Sequence, residues 1–208
     1  MDANAFFDPI RKATAMPDDA PRTALPDWDA SALQSNQQPA LHDPTQLWQC
    51  FKQHFEAVHG ETVESFEALA ALLQQAEAGH GYLAPELHPS VSPLLQRAGI
   101  SCETELDASR IDSYAFGITR AAGIIAETGS IVLKEHSTPS RLGALAPWIH
   151  IAVLDESTQR YATLLDAIMD LGDDPYVVFV TGPSKTADVE GILIEGVHGP
   201  GRQICWKS

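Results

Sequence analysis

Apolar residues recur at helical spacing in the first part of this chain and at strand spacing in the second. Beyond residue 43, Trp48, Phe51, Phe55 and Val58 fall on one helical face. Asp43 as N-cap and Pro44 at the first helical position start that helix, and Gly60 fits its end. A short extended piece at 62–63 leads into a second helix over about 66–78, with Leu69, Leu72, Leu73 and Ala76 inward and Gly79 closing it. A third, over about 90–98, turns Val91, Leu94, Leu95 and Ala98 inward and stops at Gly99. Strands are then predicted at 100–104, 114–119, 124–127 and 130–133, the last two joined by a tight turn at Thr128-Gly129. Residues 148–154 form another strand. The stripe Tyr161, Leu164, Leu165, Ile168 and Met169 predicts a helix over 158–170 ending at Gly172. The run 176–180 reads as a central strand buried on both faces, 185–190 as a short helix, and 203–206 as the last strand. Helices alternating with apolar strands predict an α/β fold with a mostly parallel sheet.

Residues 1–43 break this pattern. Six of the fourteen prolines (Pro9, Pro17, Pro21, Pro26, Pro39 and, at the border, Pro44) gather there with scattered aspartates. Such a segment buries little, so an extended or partly disordered N-terminal arm is expected, followed by one domain over 44–208. Phe6, Phe7, Leu25 and Trp28 can dock the arm onto the body or onto a second subunit, which leaves homo-oligomerisation open. With 208 residues the chain is long enough for one well-buried core.

A formal net charge of −15 argues against non-specific nucleic-acid binding, which needs a basic surface. An anionic ligand would need a local positive site. Cys50, Cys102 and Cys205 are widely spaced and form no CxxC pair, so neither a zinc ribbon nor an iron–sulfur cluster is supported. His54 and His59 are five residues apart, off a common helical face, and no HExxH is present; no metal site is expected. The start lacks a signal-peptide pattern and no apolar run is long enough for a membrane span, so a cytoplasmic protein is expected.

Candidate chemistry collects at three glycine turns. In Thr181-Gly182-Pro183-Ser184-Lys185-Thr186 no glycine precedes the lysine, and Pro183 removes an amide donor, so a nucleotide P-loop is excluded. Two compatible readings stay open. Ser184 caps the predicted helix, with Asp188 and Glu190 complementing its positive end; or the turn amides and Lys185 collect an anionic group. Glu127 either bonds backbone amides around its turn or faces a cleft as base or nucleophile. His198, between glycines in Gly196-Val197-His198-Gly199-Pro200, serves as an acid/base group or bonds loop carbonyls.

Taken in order and spacing, Ala126-Glu127-Thr128-Gly129-Ser130, residues 147–153, residues 181–190 and residues 196–200 resemble the LUD-domain family, in particular its lactate utilization protein C group. The resemblance covers about 45–208. It implies a three-layer α/β/α sandwich of the NagB/RpiA/CoA transferase-like kind, and a role in oxidising L-lactate to pyruvate beside partner proteins. It implies no intrinsic cofactor, with the iron–sulfur clusters in those partners. A site would then be built by Glu127 and His198 as proton-handling groups, with Thr128, Gly182, Ser184, Lys185, Thr186, Asp188 and Glu190 binding a small anionic ligand. Lys185 stands where the family often has arginine, a point charge in place of a planar fork. The alternative is a stand-alone CoA-transferase or sugar-phosphate isomerase using Glu127, a likeness of fold alone.

Overall fold

The structure, a computed structural model, describes residues 43–134, 141–172, 174–187 and 193–208. The expected arm lies outside these residues but for Asp43, and so do Asp188 and Glu190.

Helix α1 (Pro44–Ala57) starts where Asp43 Oδ1 accepts the Thr45 and Gln46 amides at 2.9 Å. Strand β1 (Glu61–Val63), α2 (Phe66–Gln75), β2 (His80–Leu83), a 3₁₀ turn, α3 (His88–Arg97) and β3 (Ser101–Glu103) follow. After a second 3₁₀ stretch come β4 (Phe116–Arg120), β5 (Gly123–Ile125), β6 (Ser130–Lys134), α4 (Arg141–Leu145) and β7 (Ile149–Leu154). The remainder is β8 (Gln159–Tyr161), α5 (Leu164–Asp170), β9 (Val177–Val180), β10 (Lys185–Ala187), β11 (Leu193–Glu195) and β12 (Arg202–Lys207).

Six strands make the central sheet, in the order β1-β12-β7-β4-β2-β3, and every pairing in it is parallel. Its middle strand explains the layering. All six residues of β7 are buried. Ile149, Ile151 and Val153 enter one core with Leu69, Leu73, Val91 and Leu95 of α2 and α3. Ala152 and Leu154 enter a second core with Trp48, Phe51 and Phe55 of α1 and Ala144 of α4. A strand covered on both faces reads as a continuous apolar run, and helices on both sides complete the α/β/α sandwich. A smaller mixed sheet, β8-β5-β6-β9, shares the α1 core through Ile124, Ile131 and Leu133. Within α1, Trp48, Phe51 and Phe55 stack with ring centroids 5.6 and 5.2 Å apart.

Several elements differ from expectation, each for a local reason. The 158–170 stretch is a strand and a short helix. Gln159–Tyr161 pairs in parallel with β5, and a reciprocal capping box between Thr163 and Asp166 starts the helix only at Leu164. Of the predicted apolar stripe Tyr161 is buried, on β8, but the helical part faces solvent: Leu165 is 61% and Met169 79% exposed, and only Ala167 of this helix is buried. The 176–180 run is an edge strand, antiparallel to β6 and only partly covered, not the centre of the main sheet. No helix begins at Lys185. Residues Lys185–Ala187 form a hairpin strand against β11, so Ser184 caps nothing. Strand β2 was not predicted, because a lone Tyr-Leu pair beside two glycines carries little pattern. Gly81 is needed there, since a Cβ would sit 2.5 Å from the Phe116 ring.

Helix ends also depart from the glycine rule. At α1 and α2 the left-handed position is His59 (φ 73°) and Glu77 (φ 54°), upstream of the expected Gly60 and Gly79. Gly60 N–H bonds Phe55 O at 2.8 Å and Ala78 N–H bonds Leu73 O at 2.9 Å, the six-to-one closure of a Schellman motif. The glycine position is used as expected at α3 and α5, by Gly99 at φ 73° and Gly172 at φ 64°. Among the described residues no helix is long and apolar enough to cross a membrane.

Candidate functional site

The first motif closes the β5–β6 hairpin as a four-residue turn, 126–129, with Gly129 at φ 63°. A Cβ on Gly129 would overlap the backbone of His54 and Phe55, so the turn lies directly on α1. The Glu127 carboxylate accepts the Leu164 amide at 3.0 Å, and Glu127 N–H bonds Ala162 O at 3.0 Å. It therefore supplements the Thr163 cap at the first turn of α5. On the other side of the turn, the His54 Nδ1–H donates to Ala126 O at 2.8 Å, and the Cys50 thiol points to the same oxygen at 3.5 Å.

Hydroxyls carry the first motif to the second. Thr128 Oγ1 lies 2.7 Å from Ser130 Oγ, which lies 2.6 Å from Thr181 Oγ1. Gly182, at φ 82°, then passes so close to α1 that a Cβ would stand 2.7 Å from Val58 O. The Lys185 ammonium donates to that same carbonyl at 2.9 Å and pairs with Glu195 at 3.3 Å. His59 Nδ1 is 2.7 Å from Glu195. These contacts, the His59 hydrogen bond foremost, hold the Glu195 carboxyl below its ordinary range. A cation at the last carbonyls of a helix is a capping arrangement. Thr186 lies opposite Ile194 in the β10–β11 hairpin.

Backbone bonds carry the second motif to the third. Gly196 N–H donates to Ser184 O and Ser184 N–H to Pro200 O, both at 2.9 Å. The third motif and Trp148 border a cavity of about 480 Å³, which Asp112, Tyr114, His198 and Gly199 also line. It lies at the amino ends of β4, β7 and β12. The Trp148 ring is seated on glycine: a Cβ on Gly196 or Gly201 would penetrate it.

The three motifs thus form one contiguous run along the end of α1 and the amino edge of the central sheet. Their side chains do not share one cleft. His198 is among the residues lining the cavity, whereas Glu127 turns to α5 and Lys185 to α1. Asp188 and Glu190 lie outside the described residues. Among the described residues, no three of His, Cys, Asp and Glu gather as metal ligands.

Sequence reasoning missed a buried polar row across three central strands. His150 of β7 lies between Thr119 of β4 and Gln203 of β12, with Nε2 2.8 Å from Thr119 Oγ1 and Nδ1 2.6 Å from the Gln203 amide nitrogen. The amide donates to Nδ1, so Nε2 carries the proton and donates to the threonine. Burial pushes the imidazole down to about 4. A histidine inside an otherwise apolar strand, 149–154, was the available signal.

Comparison with known proteins adds the following. Residues 52–205 match the sequence profile described as the LUD domain. A protein of Oceanobacillus iheyensis named lactate utilization protein C is 30% identical over 161 residues, covering 72% of this chain and 67% of that protein. One of the same name from Bacillus pumilus is 24% identical over 197 residues, covering 85% and 81%. Among solved structures, a DUF162 family protein from Deinococcus radiodurans superposes with a TM-score of 0.57 at 18% identity, over 80% of this chain and 99% of that one. That likeness speaks for the fold.

Proposed function

Because the chain belongs to the LUD-domain family, we propose that it serves as a lactate utilization protein C-type subunit in the oxidation of L-lactate to pyruvate. The observation that carries this reading is the joining of the three motifs into one run, in a chain whose curated relatives bear that name. Oxidation of the 2-hydroxy acid releases two electrons and two protons. Cys50, Cys102 and Cys205 stand on α1, β3 and β12 respectively, so we assign the electron-accepting iron–sulfur clusters to partner proteins. This chain then contributes recognition: His198 and the turn around Gly199 receive a small anionic group in the cavity against Trp148. Glu127, Thr128, Gly182, Ser184, Lys185 and Thr186 hold the walls of that run against α1 and α5.

Growth of a strain lacking this gene, with L-lactate as sole carbon source, tests the assignment. Growth is expected to fail and to return with the wild-type gene; growth undiminished by the deletion removes the proposal. His198→Ala and Trp148→Ala, both at the cavity, are expected to complement poorly while folding normally. The stand-alone transferase or isomerase reading is the weaker one, because the Glu127 carboxylate is engaged by the Leu164 amide and does not line the cavity.

A further inference from the structure

Helix α5 is apolar on two faces. Its inner face, Ala167 with Leu171 just beyond the helix, packs with Ile125, Val132 and Tyr161 of the small sheet β8-β5-β6-β9. Its outer face carries Leu165, Ile168 and Met169, all exposed. A helix apolar on both broad faces is one that is covered on both, and the chain itself supplies one cover. The polar side is Asp166 and Asp170, which share a flank at about 100° per residue. Asp170 accepts the Tyr161 hydroxyl at 2.6 Å, so that flank lies towards β8. Ile168, on the opposite flank, faces across the sheet towards β9.

The sheet is wider than its helix. Helix α5 lies chiefly over β5 and β8, while β9 is the strand at the far edge. By alternation Val177 and Phe179 of β9 share the face on which α5 lies. Val177 packs against the α5 cluster, but Phe179, opposite Val132 of β6, stays 39% exposed. Beside α5 the sheet therefore offers an open apolar seat floored by Phe179.

We propose that this face joins two copies of the chain, the α5 of each seated on the β6–β9 side of the other's small sheet. Helix and seat lie side by side on one surface, so a two-fold axis between the facing sheets satisfies both at once: residue meets residue reciprocally, with Leu165 and Met169 against Phe179 of the second copy. The side chains of Leu164, Leu165, Ile168, Met169 and Phe179 leave on the order of 500 Å² open per chain, or about 1,000 Å² over two copies, the size at which specific interfaces begin. Each copy carries a net charge of −15, but the α5 carboxylates stand on the flank away from the seat and are held there, Asp166 by Thr163 and Asp170 by Tyr161. The contact is therefore apolar at its centre, and the repulsion is long-range and screened by salt.

Sedimentation velocity of the full chain over a dilution series tests this, with circular dichroism to check that each variant is folded. The wild type is expected to form a dimer that dissociates in the micromolar range, as the small area implies, and to associate more tightly as salt rises from about 0.05 to 0.5 M. Leu165→Asp/Met169→Asp is expected to weaken the dimer at least about hundredfold, because it buries unpaired charges. Phe179→Ala, which empties the seat, is expected to weaken it about tenfold. Leu193→Asp alters an exposed leucine on β11 and is expected to leave the dimer unchanged. A wild type still monomeric at about 100 µM would overturn the proposal and leave this face to a different protein. So would undiminished dimerisation of the folded α5 variant, indifference to Phe179→Ala, or an equal loss in Leu193→Asp.

Discussion

His150 makes the stability of this protein sensitive to mild acid. Its ring is fully buried and both nitrogens are occupied by Gln203 and Thr119, so protonation requires a charge in the sheet centre with one nitrogen facing a donor. The unfolded chain binds that proton at the ordinary value of about 6.5, the folded chain only near 4. Between those values the unfolded state holds more protons, so stability must fall as pH falls. The contribution is nearly complete at pH 7, and lowering the pH to 5 removes about 2 kcal/mol of it. Other groups also titrate in this window, so the measurement is a difference. Urea unfolding at pH 7 and pH 5 is compared for the wild type and for Thr119→Val/His150→Leu/Gln203→Leu. That variant removes all three polar partners together and leaves none of them stranded. The wild type is expected to lose about 2 kcal/mol more than the variant over the interval. Equal losses would refute the reasoning. His150→Leu alone is expected to cost about 2–4 kcal/mol at pH 7, since it strands the Thr119 hydroxyl and the Gln203 amide.

Two further outcomes concern the motifs. Gly129→Ala forces a side chain into a left-handed residue and against the α1 backbone, so a loss of about 2–4 kcal/mol is expected from chemical denaturation. Stability within about 0.5 kcal/mol of wild type would show that the turn can lift off the helix. Glu127→Ala and Thr163→Ala each remove a side-chain acceptor at the first turn of α5, and each is expected to cost about 1 kcal/mol and to speed hydrogen exchange in α5. Unchanged exchange in Glu127→Ala, with lost complementation on lactate, would move Glu127 from scaffold to chemistry.

The layers were legible because both faces of the central strands are apolar and the first three helices carry clean periodic stripes. Leu69, Leu73, Val91 and Leu95 were assigned inward on spacing alone and are buried. Errors arose where an apolar residue is not interior. Leu165, Ile168 and Met169 gave the strongest helical stripe in the sequence, yet all three are exposed, and the Thr163–Asp166 box decides where the helix starts. The run at 177–180 misled in the same way. A β-branched stretch reports strand propensity but not whether the strand is central or on an edge. The capping residues His59 and Glu77 gave no signal, because closure there depends on bonds back to Phe55 and Leu73.

At the motifs, glycine was informative and its partner was hidden. Each glycine turn is recognised as a turn, with a structural role and a ligand or acid/base role both left open beside it. Three of these glycines make room for the protein itself. Gly129 and Gly182 admit the backbone of α1, at Phe55 and Val58, and Gly196 admits the Trp148 ring. Nothing local to residues 126–130 or 181–186 indicates that a helix some 70 to 130 residues upstream fills the space a Cβ would take. The polar residues beside them follow suit: Lys185 caps α1, Glu127 caps α5, and Ser130 joins Thr128 to Thr181. A motif of glycines and hydroxyls can therefore specify how two turns are fastened to one helix end, and a third to an indole ring, as much as what they bind. That leaves His198, the titratable motif residue that lines the cavity against Trp148, as the residue where recognition and scaffold part company.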